Sequence, residues 1–180
     1  MASQNNRSDQ RTAIRLPYPK GLLRFAFRAP ILLYRLGLGR LLGVRFLLLE
    51  HRGRRSGTRR RTAIEVVDVD PGRGSYLVVS AWGRKADWYR NVSADPAVTI
   101  AVSNQRFPAA ARTVSTEEAE IHLRNYANRH PIAFRELGSL LLGGSSRDAE
   151  ETIRRFIETM PVVEFTPSGR GHPDRDTDSA

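Results

Sequence analysis

A chain of 180 residues with 40% hydrophobic and 27% charged side chains can bury one sizeable core and has the composition of a globular domain. It contains no cysteine, which excludes disulfides, thiolate metal sites and cysteine nucleophiles, and its four histidines (51, 122, 130 and 172) lack metal-ligand spacing, so no metal is expected. The net charge of +10 points to anionic partners. Only Lys20 and Lys85 of the 29 basic residues are lysine, a compositional bias, so function must be read from where the arginines stand and not from their number.

Residues 1–13 read as a polar disordered arm and residues 169–180 as a disordered tail. No run of about 18 apolar residues is present to span a membrane. The N-terminus has no signal-peptide core, so a cytoplasmic protein is expected, with peripheral membrane contact as an option. Residues 14–43 read as a basic amphipathic helical segment. Within 17–49 there are six basic side chains and no acidic one. Lys20, Arg24 and Arg28 share a helix face by their four-residue spacing. Pro30 is placed to open a second short helix, and Gly37, Gly39 and Gly43 to end it. The segment suits packing on the domain, and it also suits an anionic membrane surface.

From residue 44 the periodicity shortens. "VRFLLLEH" reads as a strand ending near His51, and "TAIEVVDVD" (62–70) as the next. The turn "PGRG" joins the latter to "SYLVVSAW" (75–82) as a hairpin. "AVTIAVS" (97–103) and "RFPAAARTVS" (106–115) pair around Asn104-Gln105, and "VVEFTP" (162–167) is the last strand. Between them, Ala86–Asn91 predicts one or two helical turns. Ser115 and Glu118 form a capping box for a helix to about Arg129, with Ala119, Leu123, Tyr126, Ala127 and His130 on one face. A final helix near 147–159 is expected to bury Ile153, Phe156, Ile157 and Met160. Six short strands joined mostly by turns give an α+β class with an antiparallel, barrel-like sheet.

Two stretches carry candidate chemistry. "EHRGRRSGTRRRTAIEV" (50–66) holds six arginines, two glycines and a serine, and the expected strand ends place these in a loop. Gly53 and Gly57 permit positive φ and close backbone approach, Ser56 adds a hydroxyl, and Arg54, Arg55 and Arg60 can grip phosphate in forked geometry. The pattern is neither a Walker loop nor a dinucleotide fingerprint. By itself it fits a solvated basic hairpin as well as a phosphate-binding loop. No aromatic residue is interleaved and no nucleic-acid-binding signature appears, so no nucleic-acid partner is expected. "SAWGRKADWYRN" (80–91) gathers both tryptophans, Trp82 and Trp88, with Lys85, Asp87, Tyr89 and Asn91. These residues suit a barrel-capping core or contact with a flat polar heterocycle.

Taken together, Gly53-Arg54-Arg55-Ser56-Gly57 with Arg60, Trp88-Tyr89-Arg90-Asn91-Val92 and Asp95-Pro96-Ala97-Val98 resemble the deazaflavin (coenzyme F420)-dependent nitroreductase family across about residues 17–135. The resemblance implies a split β-barrel, so residues 44–168 would be a cofactor-binding domain. It implies hydride transfer from carbon 5 of the reduced deazaflavin to a small-molecule acceptor, with the cofactor supplying the chemistry and no catalytic residue identified. It places the cofactor's phosphate and glutamate tail on Arg54, Arg55, Ser56 and Gly57. Arg60, Thr62, Ala63, Ile64 and Glu65 would lie along the path to the ring, with Ser80, Ala81, Trp82 and Lys85 at the deazaflavin. Asp87, Trp88, Tyr89 and Asn91 would complete the pocket. Arg55 replaces the family's usual lysine and Ala63 a frequent proline. The substrate-side tyrosines of some members are poorly matched here, and Tyr126 and His130 are the candidates to border the substrate. A quinone-like, nitro or enone acceptor is expected. The alternatives are an FMN-type flavin-binding barrel and a non-enzymatic basic membrane-surface module. The chain would act as a monomer or a homodimer.

Overall fold

The computed structural model describes residues 34, 36, 39–103, 105–142 and 148–168. The arm, the tail and most of the expected segment 14–43 lie outside the described residues. At that segment's end, Gly39–Leu42 makes one 3-10 turn, followed by Gly43 at φ +53°.

Six strands, β1 (Phe46–Arg52), β2 (Arg59–Asp70), β3 (Ser75–Val79), β4 (Ala97–Val102), β5 (Gln105–Thr113) and β6 (Val162–Pro167), close into an antiparallel barrel in the order β1-β2-β3-β6-β5-β4. The described residues include four complete α-helices, α1 (Asp87–Ala94), α2 (Thr116–Arg129), α3 (Pro131–Leu142) and α4 (Ala149–Thr159). The α+β, split-barrel expectation is borne out. Among the described residues no helix is long and apolar enough to cross a membrane.

Period-2 alternation sorts the strand side chains into two cores. Leu47, Leu49, Val66, Val78, Ile100 and Phe165 point into the barrel, where Trp88, Tyr89 and Val92 of α1 close one side of the packing. Val67, Leu77 and Val162 face outward against Leu123, Phe134, Ile153 and Phe156 of the other helices. Burying side chains of this size stabilises each layer by about 1.5–3 kcal/mol per residue.

β2 departs from simple alternation. In "EVVDVD", an unbroken period would turn Asp68 into the apolar barrel beside Val66. A bulge between Val66 and Asp68 prevents this: Val66 pairs with Val78, and Asp68 with Leu77. One extra residue re-phases the strand. Asp68 joins the helix side, where His122 Nδ1 lies 2.7 Å from its Oδ2 and Arg129 also bonds it. Val69 returns to the barrel core.

The structure corrects several expected boundaries. β2 begins at Arg59 rather than near Thr62, because the arginines pair across the sheet with β1: Arg59 with Arg52, Arg60 with His51 and Arg61 with Glu50. The arginine loop therefore shrinks to 53–58, and Arg60 sits on a strand. β3 stops at Val79, and Gly83–Lys85 is a 3-10 turn. α1 runs three residues beyond the expected Asn91. The capping box at Ser115 and Glu118 is present. α3 was not expected; Pro131 opens it at the position where a missing N–H costs nothing. Met160 is buried just beyond the end of α4, and Ile157 is only half-buried.

Candidate functional site

The loop between β1 and β2 is closed by its own backbone. Gly53 N–H donates to Thr58 O at 2.9 Å, and Gly57 N–H donates to Gly53 O at 2.7 Å. Gly57 has φ +65°, a region that favours glycine. Gly53 does not share this conformation; a Cβ there would stand 2.8 Å from Ser56 Oγ and 3.1 Å from Arg60 Nε. The glycine there leaves room for these two side chains and does not serve a positive φ.

This fold makes a cleft of about 170 Å³ lined by Gly53, Arg54, Arg55, Ser56, Arg60, Asp87 and Asn91. Three guanidinium groups face one carboxylate, so the cleft keeps an excess of positive charge. Arg54 is oriented from α1: its Nη1 donates to Asn91 Oδ1 at 3.0 Å and to Asp87 Oδ1 at 3.2 Å, and its backbone N–H donates to Asn91 Oδ1 at 3.1 Å. Arg55, Ser56 and Arg60 are exposed at the rim. An oriented guanidinium, two exposed ones and a hydroxyl form a donor set suited to phosphate or carboxylate oxygens.

A second groove, about 270 Å³, runs between β2 and the α2–α3 junction, lined among others by Arg45, Glu65, Tyr126, Arg129, His130 and Ala133. Tyr126 donates to Glu65 Oε1 at 3.4 Å, and Arg45 Nε lies 3.3 Å from the same oxygen. Burial first, and then the negative charge of Glu65, push the Tyr126 hydroxyl up to about 12. The expected pairing of Tyr126 and His130 needs correction in one respect. Both line the groove with rings 5.4 Å apart, but Tyr126 is buried whereas His130 is exposed at the α2 C-cap. Pro131 disfavours helical backbone at the residue before it, so His130 leaves the helical face.

The other sequence-selected residues are placed as follows. Thr62, Ala63 and Ile64 are half-buried along β2 between cleft and groove. Ser80 is fully buried, and its hydroxyl donates to Gly83 O at 2.9 Å. Ala81 and Trp82 are half-buried and Lys85 is exposed. None of Ser80, Ala81, Trp82 and Lys85 lines either depression. Trp88 and Tyr89 are core residues, in edge-to-face contact at 6.1 Å; they back the cleft rather than line it, as large aromatics on the buried face of a short helix do. Asp87 and Asn91, one turn apart on α1, are the cleft residues. The sequence reading missed Gly53 as a lining residue, and it missed Arg45, Asp68 and Arg129 near the groove. His122 and Arg129, seven apart on α2, were the available signal for the last pair.

Residues 35–136 match the family of F420H(2)-dependent quinone reductases. A solved F420-H2 dependent reductase is 22% identical, with 67% of this chain and 93% of that chain covered and a TM-score of 0.46. A pyridoxamine 5'-phosphate oxidase-related, FMN-binding protein from Nostoc punctiforme is 13% identical, with 78% of this chain and 80% of that chain covered and a TM-score of 0.48. Comparison with curated proteins gave no match. The family match takes in the arginine loop, β1 to β5, α1 and α2, more than half of the chain; this oxidoreductase belongs to the F420H(2)-dependent quinone reductase family.

Proposed function

We propose that the chain reduces a flat, quinone-like acceptor with reduced F420, holding the cofactor's phosphate and glutamate tail in the arginine cleft and the acceptor at the groove beside Tyr126. The observation that carries this reading is the cleft itself. It is cationic and polar, and Asn91 and Asp87 orient the Arg54 guanidinium within it. Its donor set fits the anionic end of such a cofactor, and a Cβ at Gly53 would fill part of it.

When bound, the reduced deazaflavin supplies a hydride. The chain's own residues bind, orient and hold protons. Arg54, Arg55 and Arg60 anchor the anionic end, so the reacting end is placed by a fixed length of chain. Two-electron reduction of a quinone also consumes a proton. Tyr126 Oη remains protonated through the neutral range, because its hydroxyl is pushed up to about 12, and it stands hydrogen-bonded to Glu65 at the groove. His130 is exposed at the same groove. The acid-free, apolar and basic stretch 17–49 supports peripheral contact with an anionic membrane, where lipophilic quinones reside.

Titration of the protein with F420, with FMN in parallel, tests the reading through tryptophan fluorescence. Replacing Arg54 and Arg55 together by alanine is expected to raise the F420 dissociation constant at least tenfold, about 1.4 kcal/mol. Unchanged affinity, or tighter binding of FMN than of F420, overturns it.

A further inference from the structure

Asn91 is held at both ends of its amide. Its Oδ1 accepts from Arg54 N–H at 3.1 Å and from Arg54 Nη1 at 3.0 Å. A carboxamide oxygen has two acceptor sites, and its nitrogen only donates. With Oδ1 committed to Arg54, the Nδ2 end faces His51, whose Nδ1 lies 3.3 Å away. With that orientation His51 Nδ1 is the acceptor and the ring proton sits on Nε2, a buried nitrogen with no hydrogen-bond partner among the described residues. A proton on Nδ1 would set donor against donor. Asn91 would then have to turn its oxygen toward His51, leaving its NH₂ group against the two Arg54 donors.

The surroundings favour the neutral ring. His51 is 5% exposed. Arg60 is its cross-strand neighbour on β2, Arg54 stands beyond Asn91, and Asp87, the carboxylate on α1, is already paired with Arg54. Burial first, and then the positive charge of Arg60, hold the imidazole below its ordinary value, against a backbone hydrogen bond at Arg52.

We propose that His51 is the positioning residue of the arginine cleft: as its Nε2–H tautomer it accepts from Asn91, locks the amide oxygen toward Arg54, and so presets the Arg54 guanidinium for an anion. This role rests on the reading of the cleft as the cofactor's anion clamp. The chain of contacts runs His51 (β1), Asn91 (α1), Arg54 (loop).

Two measurements test it. On the free protein, ¹⁵N shifts of the His51 ring read the tautomer without any cofactor; an unprotonated Nδ1 is expected, and a protonated Nδ1 at neutral pH overturns the proposal. For binding, F420 is titrated into folded His51→Leu, His51→Asn and Arg54→Ala and into the His51→Leu/Arg54→Ala pair. Asparagine places an acceptor oxygen where Nδ1 stands. His51→Leu is expected to weaken binding about tenfold, and His51→Asn to restore it to within about threefold of the parent. The double variant is expected to be no weaker than Arg54→Ala alone, because both changes remove one interaction. His51→Leu binding like the parent, no rescue by asparagine, or full additivity overturns the role. An Arg54→Ala variant that binds F420 normally sinks the anion-clamp reading instead, and with it the cofactor half of the proposal, while the tautomer measurement still decides the hydrogen-bond chain.

Discussion

Gly83→Ala is expected to be the most damaging glycine substitution in the domain. Gly83 lies at φ +60°, and an added Cβ would meet Thr159 O, a backbone atom at the end of α4, at 2.7 Å. Neither partner can shift freely. On one side, Gly83 N–H donates to Ser80 O at 2.8 Å, and Gly83 O accepts from Ser80 Oγ at 2.9 Å. On the other, Ser80 N–H donates to Pro161 O at 2.9 Å, tying the turn to the same segment that follows α4. The left-handed backbone costs an alanine about 1–2 kcal/mol, and overpacking against a fixed neighbour about 1–3 kcal/mol. The sum is a large part of the roughly 5–15 kcal/mol that holds a domain folded. Gly57→Ala is the control. It has φ +65° but open space around the added Cβ, so it carries only the backbone cost. At about 2–4 °C per kcal/mol for a chain of this size, Gly83→Ala should melt several degrees below Gly57→Ala in a calorimetric or far-ultraviolet dichroism scan. Equal melting temperatures would refute the reasoning, because they would mean that the contact with Thr159 has no energetic consequence.

Gly53→Ala should separate binding from stability: its Cβ would displace Ser56 Oγ and Arg60 Nε, both side-chain atoms of the cleft, so F420 affinity should fall about tenfold with a smaller change in melting temperature than Gly83→Ala gives. Glu164 is buried in the sheet. Burial pushes its carboxyl up, but hydrogen bonds from Ser75 at 2.7 Å and from Arg112, with the charges of Arg112 and Arg73, outweigh this and hold it below its ordinary 4.5. A lowered carboxyl stabilises the fold above the unfolded value, and that stability is lost as pH falls through the folded value; urea midpoints of the parent should drop more steeply below about pH 4.5 than those of Glu164→Gln. His51 has the opposite charge type. Its lowered imidazole means that the unfolded chain binds a proton first, so stability should fall as pH drops from the ordinary 6.5 toward the lowered value, and His51→Asn should flatten that part of the urea-midpoint profile.

The barrel was legible because most of its strands are short, apolar and bounded by turn residues. "SYLVV" and "VVEFTP" each read as strands and pair in the sheet. The start of β2 was not legible, because Arg59, Arg60 and Arg61 carry no apolar period; they are extended only because β1 offers Arg52, His51 and Glu50 as partners, and pairing across the sheet is a tertiary fact. The same limit hid the His51–Asn91 contact, which spans 40 residues. The arginines, Ser56, Asp87 and Asn91 were selected through motif spacing, and the structure brings them to one cleft. Trp88 and Tyr89 were selected with them because the motif is contiguous, yet a helix sends neighbouring residues to different faces, and α1 packs those two into the apolar core of the barrel.

β2 explains why the cleft and the groove stay distinct yet share one element. Arg60 lines the first and Glu65 the second; at about 3.3 Å per residue they stand roughly 17 Å apart along the strand. Charge on the strand changes over that length. Its first three residues are cationic, and its far end carries Glu65, Asp68 and Asp70. The bulge after Val66 sends Asp68 to His122 and Arg129, Glu65 pairs with Arg45 and Asp70 lies 3.9 Å from Arg73, so each carboxylate has a basic partner outside the cleft. Tyr126, by contrast, meets Glu65 only at the groove and keeps its proton there. One strand thus carries a cationic end at the cleft and an acidic end at the groove. The proposed cofactor and acceptor, anionic at one end and flat at the other, match that division of charge.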